Sequence, residues 1–299
     1  MNKKPKVIAI IGPTAAGKTS LSIEIAKLFD GEVVSADSRQ VYRGMDLGTG
    51  KVTEEEMRGI PHHLLDVAEP MDNYTAANFE RDAKVAISRI LSKNKLPIIA
   101  GGTYFYIELL RGNIQSAPVP PNEKLRDELE SKSTEELFSL LKDKSPERAA
   151  EVDQYNKRRL IRSLEIIDTL GHIPKTKKAE SDYDWLLLGV NISKDQLHKN
   201  INIRLHQRLE EGMIEEVERL VKEGVTHQRL EDFGLEYRFI SQYLQGKITR
   251  EEMEKEIEFK SRQYAKRQMT WLKKEDSIKW VNPKDLETVE KIVTGFLNN

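Results

Sequence analysis

The sequence contains no cysteine, which excludes disulfide bonds, thiol nucleophiles and zinc sites built on cysteine ligands. Long apolar runs are missing as well, since no stretch approaches the roughly 18 apolar residues of a membrane span. The apolar run at residues 7–11 is too short for the core of a signal peptide and ends in a turn. These absences predict a cytoplasmic protein that does not enter a membrane.

Neither sign of charge dominates, because 48 Lys and Arg residues face 49 Asp and Glu residues. This balance excludes a uniformly basic nucleic-acid coat but still allows a local basic surface. Residues 157–178 contain seven basic and two acidic residues, and residues 258–274 contain six basic residues and one acidic residue. Both segments therefore carry a net charge of +5 within a nearly neutral chain of 299 residues.

Short apolar runs alternate with helix-like segments in the first third of the chain, which is typical of an α/β domain. The candidate strands are residues 7–11, 32–36, 96–100, 185–190 and 277–281. The alternation stops between residues 122 and 180, where leucines recur at helical spacing and no convincing strand is present. We therefore expect a discontinuous α/β core, residues 1–113 and 183–299, with an all-helical insert at residues 114–182.

A phosphate-binding loop follows the first strand and opens a helix, as that motif requires. Its residues are Gly12, Pro13, Thr14, Ala15, Ala16, Gly17, Lys18 and Thr19, which fit G-x-x-x-x-G-K-[ST]. The backbone amides and the helix N-terminus are expected to face the anion, Lys18 to reach its outer phosphate, and the Thr19 hydroxyl to bind Mg²⁺. The motif predicts a P-loop NTPase-like parallel sheet flanked by helices. It indicates phosphate or diphosphate binding without identifying ATP.

Two further strand ends are expected near this loop, because ligands collect at the carboxyl ends of parallel strands. Asp37 follows the second strand and could act as a general base, a magnesium ligand or a helix cap. Gly101 and Gly102 follow the third strand and could form a simple turn, or could bring Thr103 to a substrate. Residue type alone leaves these alternatives open.

Taken together, these motifs resemble the bacterial tRNA dimethylallyltransferases, also called tRNA isopentenyltransferases. The matching stretches run in the family's order from Gly12 to Leu272 and cover most of the chain. The phosphate loop is shared with many unrelated proteins, whereas DSRQVYRGMD (residues 37–46) and AKRQMTW (residues 265–271) are far more specific. Gly50 departs from the pattern, where another small residue such as alanine is expected.

The resemblance implies transfer of a dimethylallyl group from dimethylallyl diphosphate to N6 of an adenosine next to the anticodon of tRNA (position 37), with release of diphosphate. By the match, Asp37 is the general base, Thr103 contacts the reacting nucleotide, and Arg204 clamps the diphosphate opposite Lys18. Mg²⁺ is the implied cofactor. Without the match, Arg204 would read as a solvated helix charge.

The resemblance also implies a tRNA surface, which would account for the basic segments because single-stranded loops are bound through phosphates and splayed bases. The implied contacts are Asp37, Ser38, Arg39, Gln40, Thr103, Arg126, Arg158, Arg159, Leu160, Ile161 and Arg162. Weaker candidates are Tyr237, Arg238, Arg262, Lys266, Arg267 and Gln268. The three tryptophans, Trp185, Trp271 and Trp280, are expected in the core because each lies in an apolar run.

Two other functions remain open from the residues themselves. A P-loop kinase of a small metabolite would use Asp37 to activate a hydroxyl, although a small acceptor does not need the basic insert. A non-catalytic RNA-binding protein could use a nucleotide only as a switch. Enzymes that prenylate free AMP share the core chemistry but have no need for an RNA-binding insert. For the transferase that the resemblance implies, we expect a monomer.

Overall fold

The computed structural model describes residues 3–115, 117–174 and 178–299. Within those ranges it has six strands and fourteen helices, numbered here in chain order. The strands are β1 (Lys6–Ile11), β2 (Gly31–Ser35), β3 (His62–His63), β4 (Leu96–Gly101), β5 (Asp184–Val190) and β6 (Ile278–Val281). The helices are α1 (Lys18–Leu28), α2 (Glu54–Met57), α3 (Ala76–Ser92), α4 (Tyr104–Leu110), α5 (Glu123–Glu130), α6 (Thr134–Lys144), α7 (Pro146–Glu151), α8 (Lys157–Leu170), α9 (Lys194–Glu210), α10 (Met213–Lys222), α11 (His227–Phe233), α12 (Leu235–Leu244), α13 (Arg250–Leu272) and α14 (Leu286–Asn298).

All six strands form one parallel sheet in the order β3-β2-β4-β1-β5-β6. The α/β fold expected from the sequence is therefore confirmed, and the five predicted strands are present to within one residue at either end. The edge strand β3 was not predicted, because two residues are too few to give a hydrophobic pattern. Strand β1 is almost completely buried from Val7 to Ile11, as a strand covered on both faces of a parallel sheet should be.

The chain divides into two compact units, unit 1 (Met1–Gly112 with Glu180–Asn299) and unit 2 (Asn113–Ala179). Unit 1 contains the sheet, whose core includes Ile8, Ile98 and Leu188. A second core in unit 1 lies among the helices from α9 to α13 and includes Met213 and Ile240.

Unit 2 is entirely helical in its described part and consists of α5 to α8. Its own core is built on leucines that recur at helical spacing, among them Leu137, Leu141 and Leu164. Lys175 and Lys177, which were counted in the first basic segment, lie outside the described residues.

Because the strands are parallel, their carboxyl ends meet at one edge of the sheet. The phosphate loop follows β1 there, Asp37 follows β2, and Gly101–Thr103 lie at the end of β4. Strand β4 separates β1 from β2 in the sheet, so the two glycines at its end lie between the phosphate loop and Asp37. This arrangement follows from the strand order alone.

Candidate active site

A cavity of about 1090 Å³ in unit 1 opens at this edge of the sheet. Its walls include most of the phosphate loop, Asp37 and Gly102, with Arg204 on helix α9. The structure therefore brings together four groups that lie far apart in the sequence. Its volume is ample for a small phosphorylated ligand, since ligand pockets commonly measure about 300–1000 Å³.

Lys18 is the first residue of α1, and its Nζ donates a hydrogen bond of 2.7 Å to the carbonyl oxygen of Pro13. Burial lowers the pKa of this lysine to about 8, opposed by the negative charge of Asp37 and assisted by the positive charge of Arg204. Among the described residues Lys18 has no salt-bridge partner. A partly desolvated ammonium of this kind is suited to an anion that comes from outside the protein.

Arg204 faces the same cavity from α9. Partial withdrawal from solvent by the cavity walls, together with the neighbouring Arg208, lowers the pKa of Arg204 from its usual value. The group stays charged at neutral pH, because an arginine begins above about 12. Two cations that form no salt bridge in the described part of the chain thus share one cavity, and a diphosphate would neutralise both.

Asp37 is held by the turn that follows β2. Its Oδ1 accepts hydrogen bonds from the backbone N–H of Arg39 (2.9 Å) and of Gln40 (3.4 Å). These bonds fix the orientation of the carboxylate and engage only one of its two oxygens. Within the described residues Oδ2 has no hydrogen-bond donor, so this oxygen is available to accept a proton or a ligand.

Thr103 is close to Asp37 in the structure, since it bonds the next residue, and it is not among the residues that line the cavity. Its hydroxyl accepts a hydrogen bond of 3.1 Å from the N–H of Ser38, and its own N–H donates to the carbonyl oxygen of Ala36 at 3.1 Å. These bonds join the ends of β2 and β4. Gly101 permits this close approach, because a Cβ at that position would lie only 2.1 Å from the oxygen of Ala36.

Arg39 and Gln40, which were predicted to contact tRNA, form hydrogen bonds within unit 1. Arg39 donates to the carbonyl oxygen of Asp232 (3.3 Å) and lies over the ring of Phe233. Gln40 donates to the carbonyl oxygen of Gly50 at 3.2 Å and accepts from the hydroxyl of Ser35. Arg39 and Gln40 therefore shape this wall of the cavity.

A loop at residues 46–50 also lines the cavity, through Gly48, Thr49 and Gly50. The carboxylate of Glu216, on α10, accepts hydrogen bonds from the N–H groups of Asp46, Leu47 and Gly48 at 2.7–3.0 Å. The Tyr237 hydroxyl donates to the same carboxylate at 2.7 Å. Tyr237 is buried, so its weaker candidacy as a tRNA contact is wrong.

Gly50 completes this loop with a φ of +60°, a conformation that favours glycine. A Cβ at Gly50 would also lie 2.8 Å from Nη2 of Arg204. The departure at this position from the family pattern therefore has a structural basis. A larger residue would be strained and would press on the arginine.

In unit 2, the predicted tRNA contacts fall into two groups. The buried carboxylate of Glu165 binds Arg126 through two hydrogen bonds, of 2.8 and 3.0 Å, and also binds Arg162. Arg162 donates in addition to the carbonyl oxygen of Val119 at 2.9 Å. These two arginines hold unit 2 together, whatever else they contact.

The other four predicted tRNA contacts of unit 2 lie in the first turns of α8. Arg158 and Arg159 are exposed, whereas Leu160 and Ile161 are 0% and 4% exposed. The expectation that Leu160 and Ile161 contact tRNA needs correction, because their side chains lie in the core of unit 2. Helical periodicity explains the division, since residues next to the exposed pair turn toward the neighbouring helices.

The weaker candidates for tRNA contact on α13 differ in their exposure. Lys266 and Arg267 are exposed, whereas Gln268 is buried and bonded within unit 1. Trp271 and Trp280 are 56% and 36% exposed, so their predicted core positions are wrong. The apolar run that suggested burial belongs to a long helix whose outer face Trp271 occupies.

No group of three or more His, Asp or Glu side chains in the described residues could hold a metal ion. His63 instead bonds Glu32 at 2.8 Å, in the sheet. Thr19, at the start of α1, remains the candidate protein ligand for Mg²⁺. A single hydroxyl fits an ion that keeps several waters and takes other ligands from substrate phosphates.

Across the described helices, none has the length and apolar character to cross a membrane.

Comparison with known proteins places the chain in a family. The family model described as IPP transferase matches residues 40–275. A tRNA dimethylallyltransferase of Thermomicrobium roseum is 41% identical over 286 residues, which cover 94% of this chain and 87% of the relative. A relative of the same name from Exiguobacterium is 42% identical, covering 94% of this chain and 91% of its own.

Solved structures agree with these matches. The full-length tRNA isopentenylpyrophosphate transferase of Bacillus halodurans superposes with a TM-score of 0.75 at 36% identity, over 99% of this chain and 97% of the other. A eukaryotic dimethylallyltransferase acting on tRNA gives a TM-score of 0.78 at 27% identity, over 95% and 75% of the two chains. The resemblance drawn from the motifs is confirmed, and the chain belongs to the IPP transferase family, whose members compared here are tRNA-modifying transferases.

Proposed function

We propose that this protein transfers the dimethylallyl group of dimethylallyl diphosphate to N6 of the adenosine next to the anticodon of tRNA. The observation that carries the proposal is the placement of Lys18, Arg204 and Asp37 around one cavity, in a chain of the IPP transferase family. Two cations suit the diphosphate of the donor. The carboxylate suits the amino group of the acceptor.

The diphosphate of the donor binds to the phosphate loop, between Lys18 and Arg204. As the allylic C1–O bond breaks, its electron pair passes to the diphosphate, which leaves with added negative charge. The loop amides and the two cations stabilise that charge, because preorganised donors act most strongly where charge develops in a site screened from water. Thr19 would help to hold Mg²⁺, which would supply further neutralisation of the diphosphate.

Asp37 acts on the acceptor. The lone pair of N6 forms the new C–N bond to C1, and the amino group loses a proton as that bond forms. The free Oδ2 of Asp37 takes this proton, while its Oδ1 keeps the hydrogen bonds that orient the carboxylate. Thr103 keeps the ends of β2 and β4 together behind Asp37.

The tRNA contacts belong to the same proposal. Ser38, Arg39 and Gln40 would border the reacting nucleotide in unit 1. In unit 2, Arg158 and Arg159 would contact backbone phosphates, and Arg126 and Arg162 would support that surface through Glu165. A monomer in the cytoplasm is the form in which we expect the protein to act.

The test is an incubation of the purified protein with radiolabelled dimethylallyl diphosphate, Mg²⁺ and an unmodified tRNA transcript. We expect label in the tRNA, and none when the target adenosine is replaced by guanosine. Labelled ATP with small acceptors tests the kinase alternative, and free AMP tests whether RNA is required. Transfer of a phosphoryl group, or RNA binding without any transfer, would overturn the proposal.

A further inference from the structure

One buried side chain forms hydrogen bonds both to the phosphate loop and to the end of β4. Gln268, on α13, is 9% exposed. Its Oε1 accepts a hydrogen bond of 2.9 Å from the N–H of Thr14 in the phosphate loop. Its Nε2 donates a hydrogen bond of 2.9 Å to the carbonyl oxygen of Gly102, at the end of β4. A single amide therefore connects the loop that would bind the donor to the strand end beside Asp37.

The fit around this amide is close. A Cβ at Gly102 would lie 2.7 Å from Nε2 of Gln268 and 3.9 Å from Oδ2 of Asp37. The amide thus packs directly on the backbone next to the proposed base. Glutamine suits the position because its side chain offers both an acceptor and a donor, whereas glutamate offers only acceptors and methionine offers no comparable group.

From this geometry we infer that Gln268 is a positioning residue, which sets the separation between the phosphate loop and Asp37. The inference rests on the proposed function, since that separation matters only if donor and acceptor react with each other. Displacement requires the attacking nitrogen and the allylic carbon to approach to about 3–3.5 Å, and a misplacement of about 1 Å can cost about 100-fold in rate. Binding of either substrate alone depends much less on this alignment.

Gln268→Met tests the inference, because methionine fills similar space and removes both hydrogen bonds. We expect the single-turnover rate at saturating substrates to fall about 10- to 100-fold. The Kd for diphosphate and the Kd for tRNA, each titrated separately, should change little. Gln263→Met is the matched control, since Gln263 lies on the same helix and outside the cavity lining. It should keep the wild-type rate.

Gln268→Glu keeps the test decisive if the methionine variant does not fold. Its carboxylate can still accept the Thr14 N–H but meets the Gly102 oxygen without a proton to donate, so the rate should again fall. A wild-type rate in both variants, or a loss of thermal stability without a loss of rate, would overturn the inference while the proposed function stands. A wild-type protein that transfers no dimethylallyl group would overturn the proposed function and this inference together.

Discussion

Lys18 differs from an ordinary surface lysine because burial lowers the pKa of its ammonium to about 8. A bound diphosphate favours the charged form of Lys18, so binding should take up a proton wherever the free lysine is neutral. Without ligand, the unfolded chain binds more protons than the folded one between about pH 8 and the normal lysine pKa near 10.4. In that window Lys18 makes the free protein more stable as pH rises, while its affinity for diphosphate declines.

We therefore expect the affinity for diphosphate to fall as the pH rises through about 8. Isothermal titration between about pH 7 and about pH 9.5, in buffers of different ionisation enthalpy, would measure both the affinity and the proton uptake. Lys18→Arg serves as the control, because arginine stays charged over the whole range. An equally steep fall in the arginine variant would assign the effect to another group.

Asp37 tests the chemistry most directly. Asp37→Asn keeps the shape of the side chain but removes its capacity to act as a base, so turnover should fall by about 10² to 10⁴. The Kd for tRNA should change much less. If Asp37 instead bound Mg²⁺, diphosphate affinity would fall with turnover and raised Mg²⁺ would partly restore activity. Single-turnover rates across a magnesium titration distinguish these outcomes.

The loop at residues 46–50 shows how one side chain can order a whole segment. The Glu216 carboxylate accepts hydrogen bonds from three backbone N–H groups and from the Tyr237 hydroxyl. Arg208 donates to the carbonyl oxygens of Leu47 and Gly48 in the same loop. Buried N–H groups rarely remain without partners, because each orphan costs free energy. The loop therefore keeps one conformation, which places Gly50 against Arg204.

Glu216→Gln should disturb this loop, because its amide nitrogen would face N–H donors in place of a carboxylate oxygen. We expect a loss of about 1.5–3 kcal/mol in the free energy of unfolding, the usual range for hydrogen bonds to a charged group. Affinity for diphosphate should fall as well, since the wall beside Arg204 moves. Denaturant unfolding and diphosphate titration would measure the two effects. Glu215→Gln, at the exposed neighbouring position, should leave both unchanged.

For the molecule as a whole, the clearest prediction for tRNA binding concerns Arg158 and Arg159, the two exposed arginines at the start of α8. Replacing Arg158 and Arg159 by alanine should weaken tRNA binding and reduce its salt dependence by about 0.7 to 0.9 in logarithmic slope for each lost phosphate contact. Diphosphate affinity should not change. Lys142→Ala with Lys144→Ala, on α6, removes the same charge elsewhere in unit 2. If the salt dependence of tRNA binding changed equally in both double variants, the change would reflect the overall charge of unit 2 and not specific phosphate contacts of Arg158 and Arg159.

Local patterns predicted most of what the fold contains. The phosphate loop, the position of Asp37 at a strand end and five of the six strands follow from motifs and short apolar runs. The roles of Glu216 and Gln268 could not be predicted in that way, because their partners are remote. Gln268 and Thr14 are 254 positions apart, and no local periodicity records such a pair. The resemblance to the family supplied Arg204 for the same reason, since its helix pattern alone suggests only a solvated charge.

Strand order also has a consequence for synthesis on the ribosome. Strand β1 pairs with β4 on one side and with β5 on the other, and all of unit 2 is translated between those two partners. Until β5 emerges, the nascent chain has an open edge on the strand that leads into the phosphate loop. Helix α13, which supplies Gln268, emerges later still. A ribosome stalled before α13 would therefore hold a chain whose phosphate loop and Asp37 are both translated but are not yet joined through that amide.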